Sequence, residues 1–235
     1  MIENIDKAGL EFFWGSQSAF LDHISIVLTN AYVWIPMFIA MFIMVIKNHD
    51  DVRQILLCLF CIALCVFIAS GTANLLVKPL VERLRPCNDP QFKYMAVIAG
   101  NIHEKDFSFF SSHAANTMAV WMFFTLLVRS SLLSLTLFAW SLINMWTRLY
   151  LGQHFVSDML VGAVWGIISG IVAYSIYFRL KKNMSESKRY VSTQYTSVGF
   201  SYLDVDVVVS VFALTLVCST IMLDYRMLIT EILGI

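Results

Sequence analysis

Residues 147–158 read TRLYLGQHFVSD and join two long apolar intervals of the chain. These twelve residues contain a guanidinium, an imidazole and a carboxylate, on Arg148, His154 and Asp158. No other Asp, Glu, Lys or Arg occurs between residues 130 and 178. Because charged groups are costly in apolar surroundings, these three indicate a functional site.

His154 and Asp158 are four residues apart, so in a helical conformation both side chains lie on one face. The carboxylate would then accept one ring N–H of the imidazole and leave the other ring nitrogen as a base or nucleophile. Arg148 offers paired donors that suit a phosphate or a carboxylate. These three residues alone are explained equally well by a helix-capping pair beside an arginine that reaches the membrane surface.

The composition is that of a polytopic membrane protein. Of its 235 residues, 59% are hydrophobic and only 14% are charged, with a mean hydropathy of +0.73. The formal net charge is zero, so bulk electrostatics gives no reason to expect a nucleic-acid partner. Cys58 and Cys61 form a C-x-x-C pair inside an apolar run, where packing is favoured over redox or metal chemistry.

The predicted fold is all-α, a bundle of six transmembrane helices in a single membrane-embedded domain over residues 1–235. A span needs about 20 mainly apolar residues. The predicted spans are 23–46, 54–77, 107–128, 130–151, 157–178 and 205–223. Residues 1–22 mix apolar with charged side chains and predict a helix that lies in the membrane interface.

The distribution of Lys and Arg predicts the orientation in the cell membrane. The two sides carry equal numbers of these residues. If Lys78, Arg85 and Arg148 serve a site, the remaining residues favour a cytoplasmic location for the basic cluster in 179–189. The site then faces the extracytoplasmic side.

Residues 78–86 read KPLVERLRP and place Lys78 and Arg85 where the second predicted span ends. Two cations at this point can bind an anion. Taken alone, they are also explained as a basic collar at the end of a helix.

Residues 107–117 read FSFFSSHAANT and precede the third predicted span. Ser111 or Ser112 suits a helix N-cap, and the unpaired backbone N–H groups of a helix N-terminus bind anions. His113 in the first turn can donate to such an anion. Taken alone, this segment is also explained by capping serines beside an interfacial histidine.

Together the three segments resemble the motifs of the type 2 phosphatidic acid phosphatase family, which are Lys-x6-Arg-Pro, Pro-Ser-Gly-His and Ser-Arg-x5-His-x3-Asp. The first motif is matched by Lys78, Arg85 and Pro86. The second keeps Ser111 and His113, with Phe110 in place of Pro and Ser112 in place of Gly. The third keeps Arg148, His154 and Asp158, with Thr147 in place of Ser. The resemblance extends from the second to the fifth predicted span.

The resemblance implies a membrane lipid phosphatase. Phosphate oxygens would be bound by Lys78, Arg85, Arg148, Ser111 and the backbone near Ser112. His154 would attack phosphorus to form a phosphohistidine, with Asp158 holding its tautomer and His113 protonating the leaving oxygen. Water would then release the phosphate, without a metal or another cofactor.

The motifs bind phosphate and do not read the lipid tail. The leading expectation is undecaprenyl diphosphate as substrate, with phosphatidylglycerophosphate, phosphatidic acid and the 1-phosphate of lipid A as alternatives. The expected partners are thus a lipid phosphate and membrane lipids.

Two other classes of protein compete with this interpretation. A catalytically weak lipid-phosphate binding protein would bind these lipids without turnover, as the altered second motif allows. A transporter is disfavoured, because the charges cluster at span ends and the span interiors carry no Asp, Glu, Lys or Arg. The haloperoxidases of the wider superfamily share the motif pattern, but six spans argue against their soluble chemistry.

Overall fold

The computed structural model describes residues 2–14, 18–94, 104, 106–182 and 192–233. Apart from one isolated bridge between Tyr195 and Ser201, the regular structure in these residues is helical. The α-helices are α1 (Ile2–Phe13), α2 (Ala19–Leu28), α3 (Ile35–Lys47), α4 (Val52–Gly71), α5 (Lys78–Val81), α6 (Ser112–Val128), α7 (Ser131–Tyr150), α8 (Val156–Lys182) and α9 (Tyr202–Leu233). The predicted all-α class is therefore confirmed.

The second predicted span is one long helix. A π-helical turn over Thr72–Val77 joins α4 to α5, so the helix is continuous over Val52–Val81. It ends at Glu82, whose φ of 51° is left-handed and stops further helical turns. Lys78 therefore lies in the last turn of the helix, where the chain leaves the apolar interval.

The structure divides the predicted span 23–46 into α2 and α3, which are bent by 68° relative to each other. Asn30 caps a short 3₁₀ turn over Ala31–Trp34 by accepting from Tyr32 N at 3.0 Å. The indole of Trp34 donates to Leu28 O at 2.9 Å and so satisfies a carbonyl at the end of α2. Both capping groups are visible in the sequence only as isolated residues in an apolar run.

Within the described residues, three helices are long and apolar enough to cross a bilayer: Val52–Val81, Val156–Lys182 and Tyr202–Ile221. The bent pair α2 and α3 qualifies when its two helices are counted as one span. α6 is a shorter apolar helix, and α7 carries polar residues that lower its hydropathy, among them the buried Ser141, Asn144 and Thr147. The number of six spans stays a prediction, as does the single domain.

α6 and α8 pack against each other through a row of glycines. Gly162, Gly166 and Gly170 are spaced by four residues on one face of α8. A Cβ atom at these positions would approach the α6 backbone oxygens of Ser111, Ala115 and Ala119 to 2.6, 2.3 and 2.7 Å. Such small-residue faces let membrane helices approach closely. This contact places the start of α6 beside the start of α8.

α1 packs on the polar end of this helix pair rather than standing apart from it. Leu10 and Trp14 form a small buried cluster with Cys87 and Phe155. A Cβ atom on Gly9 would come within 2.3 Å of Val156, the first residue of α8. An interfacial location of α1 remains a prediction.

Candidate active site

Three cations lie at helix ends on one side of the bundle. Lys78 begins α5, Arg148 lies in the last turn of α7, and Arg85 follows α5 in an irregular segment. All three are almost completely buried, with exposed fractions of 5%, 3% and 1% respectively. Buried cations need anionic partners.

Two carboxylates from the segment before α6 supply those partners. Glu104 bridges Arg148 and Arg85, with oxygens 2.6 and 2.7 Å from their Nη2 atoms. Asp106 bridges Lys78 and Arg85, with oxygens 2.7 Å from Nζ and 2.6 Å from Nη2. The three predicted phosphate ligands are thus joined through two carboxylates, at the place where a phosphate could replace them.

A cavity of about 540 Å³ opens beside these ion pairs. Its walls include Asn74, Lys78, Pro79, Arg85, Glu104, Asp106, Phe107, Ser112 and His113. A polar headgroup could enter here and reach the cations.

His154 lies at the buried side of the cations, with an exposed fraction of 1%. Its Nε2 is 3.1 Å from Nη1 of Arg85. A guanidinium can only donate, so Nε2 must be the unprotonated nitrogen and Nδ1 must carry the hydrogen. Nδ1 faces Asp158 Oδ2 at 3.6 Å, which is longer than a hydrogen bond. The tautomer with its hydrogen on Nδ1 leaves Nε2 as the nucleophilic nitrogen.

The electrostatic surroundings favour a neutral His154 and the ionised forms of Asp106 and Glu104. Burial, followed by the positive charges of Arg85, Arg148 and Lys78, lowers the pKa of His154 well below its ordinary value. Burial opposes ionisation of Asp106, but hydrogen bonds from Lys78 and Arg85 lower its pKa to about 2. Burial likewise opposes ionisation of Glu104, and Arg148 and Arg85 outweigh it and lower the pKa of Glu104.

The turn between α7 and α8 fixes the position of His154. Gly152 has a φ of +62°, which favours glycine, and a Cβ atom there would lie 2.4 Å from the indole nitrogen of Trp14. Its carbonyl accepts from Cys87 N at 3.1 Å, which ties this turn to the segment that carries Arg85. Arg85 also donates to Gln153 O at 2.9 Å. The first and third motifs are therefore held together by backbone contacts.

The start of α6 accommodates both departures from the second motif. Ser111 caps the helix, since its hydroxyl accepts from Ala114 N at 3.3 Å. Ser112 is the first helical residue, and a helical conformation bears a side chain there without strain. Phe110, in place of Pro, is buried against Trp165 of α8.

The structure brings most of the predicted site residues to one place. Ser112 and His113 line the cavity, and His154 contacts Arg85. Ser111 is fully buried as the cap of α6, although its hydroxyl keeps a proton that it can donate. Within the described residues, no group of His, Cys, Asp and Glu side chains is arranged to hold a metal ion.

Four residues of this region were not found by sequence reasoning: Asp6, Arg83, Glu104 and Asp106. Glu104 and Asp106, which pair with the cations, lie in a connection without hydrophobic periodicity. The sequence therefore gives no indication of their contacts. Arg83 was part of the quoted first motif but was not assigned a role. Asp6 had a weak signal, because it precedes Leu10 and Trp14 by four and eight residues and shares their buried helix face.

An apolar groove of about 490 Å³ adjoins the site. It shares Asn74, Ser112 and His113 with the polar cavity. From there it runs between α3, α4, α6 and α7, past Trp34, Met41, Val120, Phe124 and Trp140. The polar site therefore continues into a surface that suits hydrocarbon chains.

The chain matches known proteins over this region. The sequence profile of the PAP2 superfamily matches residues 54–182. A lipid A 4'-phosphatase of Bacteroides thetaiotaomicron is 34% identical over 182 residues, which cover 76% of this chain and 80% of that protein. A lipid A 4'-phosphatase of Porphyromonas gingivalis is 26% identical over 164 residues, covering 69% of each.

A solved structure has a similar fold. It is the transmembrane PAP2 type phosphatidylglycerolphosphate phosphatase from Bacillus subtilis, with a TM-score of 0.54 at 19% identity, over 79% of this chain and 87% of that one. The matched residues 54–182 include all three motifs and exceed half of the chain. The chain therefore belongs to the PAP2 superfamily, among its membrane lipid phosphatases.

Proposed function

We propose that this protein removes the 4'-phosphate of a lipid A type glycolipid through a phosphohistidine on His154. The observation that carries the proposal is the contact between His154 Nε2 and Arg85 Nη1 at 3.1 Å. It leaves the nucleophilic nitrogen unprotonated and beside a cation that can bind the phosphate under attack.

The three cations supply what phosphoryl transfer needs most. Charge spreads over the phosphoryl oxygens in the transition state, so positioning and charge stabilisation account for most of the rate enhancement. Arg85 and Arg148 can each donate two parallel hydrogen bonds, and Lys78 adds a point charge. A phosphate that replaces Glu104 and Asp106 would meet all three.

The reaction has two steps. In the first, the lone pair of His154 Nε2 forms a bond to phosphorus while the bond from phosphorus to the ester oxygen breaks, and His113 gives its proton to that oxygen. In the second, water attacks the phosphohistidine, the P–N bond breaks, and His113 takes back a proton from the water. Asp158 stabilises the positive charge on the ring of His154 in between.

The relatives support the choice of substrate. Both curated proteins are lipid A 4'-phosphatases, and one of them is 34% identical to this chain. This favours a lipid A type substrate over undecaprenyl diphosphate, which was the leading expectation from the motifs. It also favours the 4' position over the 1-phosphate. The apolar groove beside Ser112 and His113 gives acyl chains a place to lie. We keep the extracytoplasmic orientation of the site as part of the proposal.

The test is phosphate release by the purified protein in detergent with EDTA present. The substrates are lipid A bearing both phosphates, undecaprenyl diphosphate, phosphatidylglycerophosphate and phosphatidic acid. Mass spectrometry of the lipid A product distinguishes loss of the 4'-phosphate from loss of the 1-phosphate. His154→Ala is the inactive variant, and His23→Ala is its control, because the exposed ring of His23 bonds the local carbonyl of Ala19.

We expect 4'-phosphate release that persists in EDTA and in His23→Ala and is lost in His154→Ala. Release mainly from undecaprenyl diphosphate would restore the first expectation. Binding of the lipids without release by the wild-type protein would instead support a lipid-phosphate binding protein.

A further inference from the structure

Arg83 lies two residues before Arg85 but contacts a different set of groups. Its Nη1 donates to Asp158 Oδ1 at 2.7 Å and to Ser157 Oγ at 2.8 Å. Its Nη2 donates to Asp6 Oδ2 at 2.6 Å. The guanidinium carbon lies 3.9 Å from the centroid of the Phe155 ring. These contacts fix the guanidinium on the side of Asp158 away from His154.

Asp6 brings the N-terminal helix into the same network. It is 1% exposed, although it belongs to a terminal helix. Its Oδ1 accepts from Ser157 N at 2.9 Å, and its Oδ2 accepts from Ser157 Oγ at 2.8 Å as well as from Arg83. Asp6 therefore caps the first turn of α8 from another helix, where a carboxylate also complements the helix dipole.

Both oxygens of Asp158 are thereby oriented. Oδ1 accepts from Arg83, and Oδ2 accepts from Phe155 N at 3.0 Å while facing Nδ1 of His154 at 3.6 Å. Asp158 has no exposed side-chain surface, so these contacts set the direction of the carboxylate. Ser108, from the segment before α6, lies beside this carboxylate, and its hydroxyl donates to Leu84 O at 3.1 Å.

The network of Asp6, Arg83 and Asp158 has one more negative charge than positive charge. Asp6 and Asp158 are two carboxylates, and Arg83 is the cation that lies between them. The pairing of Arg83 with Asp6 leaves the charge of Asp158 available to the imidazole. Without Asp6, Arg83 and Asp158 would form a neutral pair, and the ring of His154 would lose this support when it becomes positive.

We propose that Arg83 and Asp6 are positioning residues for phosphoryl transfer, which orient Asp158 and keep it ionised beside His154. This inference rests on the proposed function of His154. The side chains beside Asp158 are Arg83 from the segment after α5, His154 from the turn before α8 and Ser108. Asp6 from α1 is connected to Asp158 through Arg83. Replacement of Arg83 leaves two buried carboxylates without their shared cation, so one of them binds a proton more readily.

The test is the pH dependence of kcat and kcat/KM for phosphate release by the full-length protein in detergent. The variants are Arg83→Gln, Arg83→Lys, Asp6→Asn and the double variant Arg83→Gln with Asp6→Asn. Arg53→Gln removes an exposed arginine and is the control for loss of charge alone. Thermal unfolding of each variant measures its stability in parallel.

In Arg83→Gln we expect kcat to fall about tenfold or more, with little change in KM. The acidic limb of its pH profile should move upward, because loss of the paired cation lets Asp158 take up a proton more readily. The double variant should return the limb toward its wild-type position, since one of the two carboxylates is gone. Arg83→Lys should leave the acidic limb at its wild-type position, because the positive charge is kept. Its kcat should be only partly restored relative to Arg83→Gln, because a single ammonium replaces a guanidinium that donates to two carboxylates.

A merely structural role predicts lower unfolding temperatures with an unchanged pH profile and unchanged kcat per folded molecule. That result would overturn the proposal. If Arg83→Gln yields no folded protein, Asp6→Asn decides: a reduced kcat with unchanged KM supports the positioning role, and wild-type kinetics contradict it. Absence of phosphate release from the wild-type protein would instead overturn the proposed function, and this inference with it.

Discussion

Arg85 donates through Nη1 to Nε2 of His154 at 3.1 Å. The contact fixes the tautomer in which Nε2 is unprotonated, but it also occupies the lone pair that would attack phosphorus. Nη2 of the same guanidinium is held by Glu104 and Asp106. The described arrangement is therefore a resting one, in which an entering phosphate must draw Arg85 away from His154 and displace the two carboxylates.

The first prediction concerns pH. Because burial and the neighbouring cations lower the pKa of His154 below 6.5, its imidazole stays unprotonated as the pH falls through that value. We expect kcat/KM to be retained there and to decline only at lower pH. The alkaline limb of kcat should reflect loss of the proton of His113 in the substrate complex, where the bound phosphate favours the protonated ring, so His113→Asn should abolish that limb. A flat profile from about pH 5 to about pH 9 in the wild-type protein, with chemistry limiting the rate, would contradict the two-histidine scheme.

A second prediction follows from the carboxylates that hold the cations. Asp106→Asn removes a charge that competes with phosphate for Lys78 and Arg85, so the inhibition constant of inorganic phosphate should fall by about threefold to tenfold. Asp89→Asn is the control, because Asp89 lies in the same connection and accepts from the local amide of Gln91. Weaker phosphate inhibition in Asp106→Asn would show instead that Asp106 is needed to hold the cations in place.

The role of His113 predicts a dependence on the leaving group. With an alkyl or sugar leaving oxygen, His113→Asn should lower kcat by about 10²-fold to 10⁴-fold, since that oxygen needs a proton as it departs. With an aryl phosphate such as p-nitrophenyl phosphate, the loss should be much smaller, because the leaving phenolate is stable without a proton. Equal losses on both substrates would remove His113 from the role of general acid.

The apolar groove predicts a separation between lipid and soluble substrates. Val120→Trp fills a groove wall and should raise KM for long-chain lipid phosphates while leaving turnover of p-nitrophenyl phosphate unchanged. Leu214→Trp introduces the same indole at an exposed position of α9 and should leave the kinetics of both substrates unchanged. If Val120→Trp has no effect on long-chain substrates, the acyl chains lie elsewhere.

The glycine row on α8 predicts a loss of stability. In Gly166→Ala the new Cβ would lie 2.3 Å from Ala115 O, and we expect a cost of about 1–3 kcal/mol in the free energy of unfolding. Gly71→Ala is the matched control in α4, because its Cβ would make ordinary contacts with Phe67 at 3.8 Å. Thermal unfolding in detergent compares the two. Equal unfolding midpoints for the two variants would mean that α6 and α8 can move apart without a loss of stability.

The sequence was most informative where a charged or titratable residue adjoins a long apolar interval. Lys78, Arg85, Arg148 and His154 could be selected because each lies at the end of an apolar interval, and the structure brings them into one site. Helix existence was also readable, since each predicted span contains helix in the described residues. The bend between α2 and α3 was not, because the capping groups at the bend, Asn30 and Trp34, are isolated residues in a mainly apolar interval.

Contacts between distant parts of the chain could not be read from periodicity. Asp6 and Arg83 are separated by 77 residues, and neither belongs to an interval whose pattern points to the other. Glu104 and Asp106 lie in an irregular connection, where position depends on the ion pairs themselves. The spacing of Gly162, Gly166 and Gly170 was visible, but its meaning required knowledge that α6 lies opposite.

The most direct test of the account is a search for phosphate bound covalently to His154. The purified protein is mixed with lipid A carrying a labelled 4'-phosphate, quenched in alkali within one turnover and digested for mass spectrometry. We predict an acid-labile, alkali-stable phosphate on the peptide that contains His154, and none in His154→Ala. Continued turnover by His154→Ala, with no phosphorylated histidine in the wild-type protein, would contradict the mechanism.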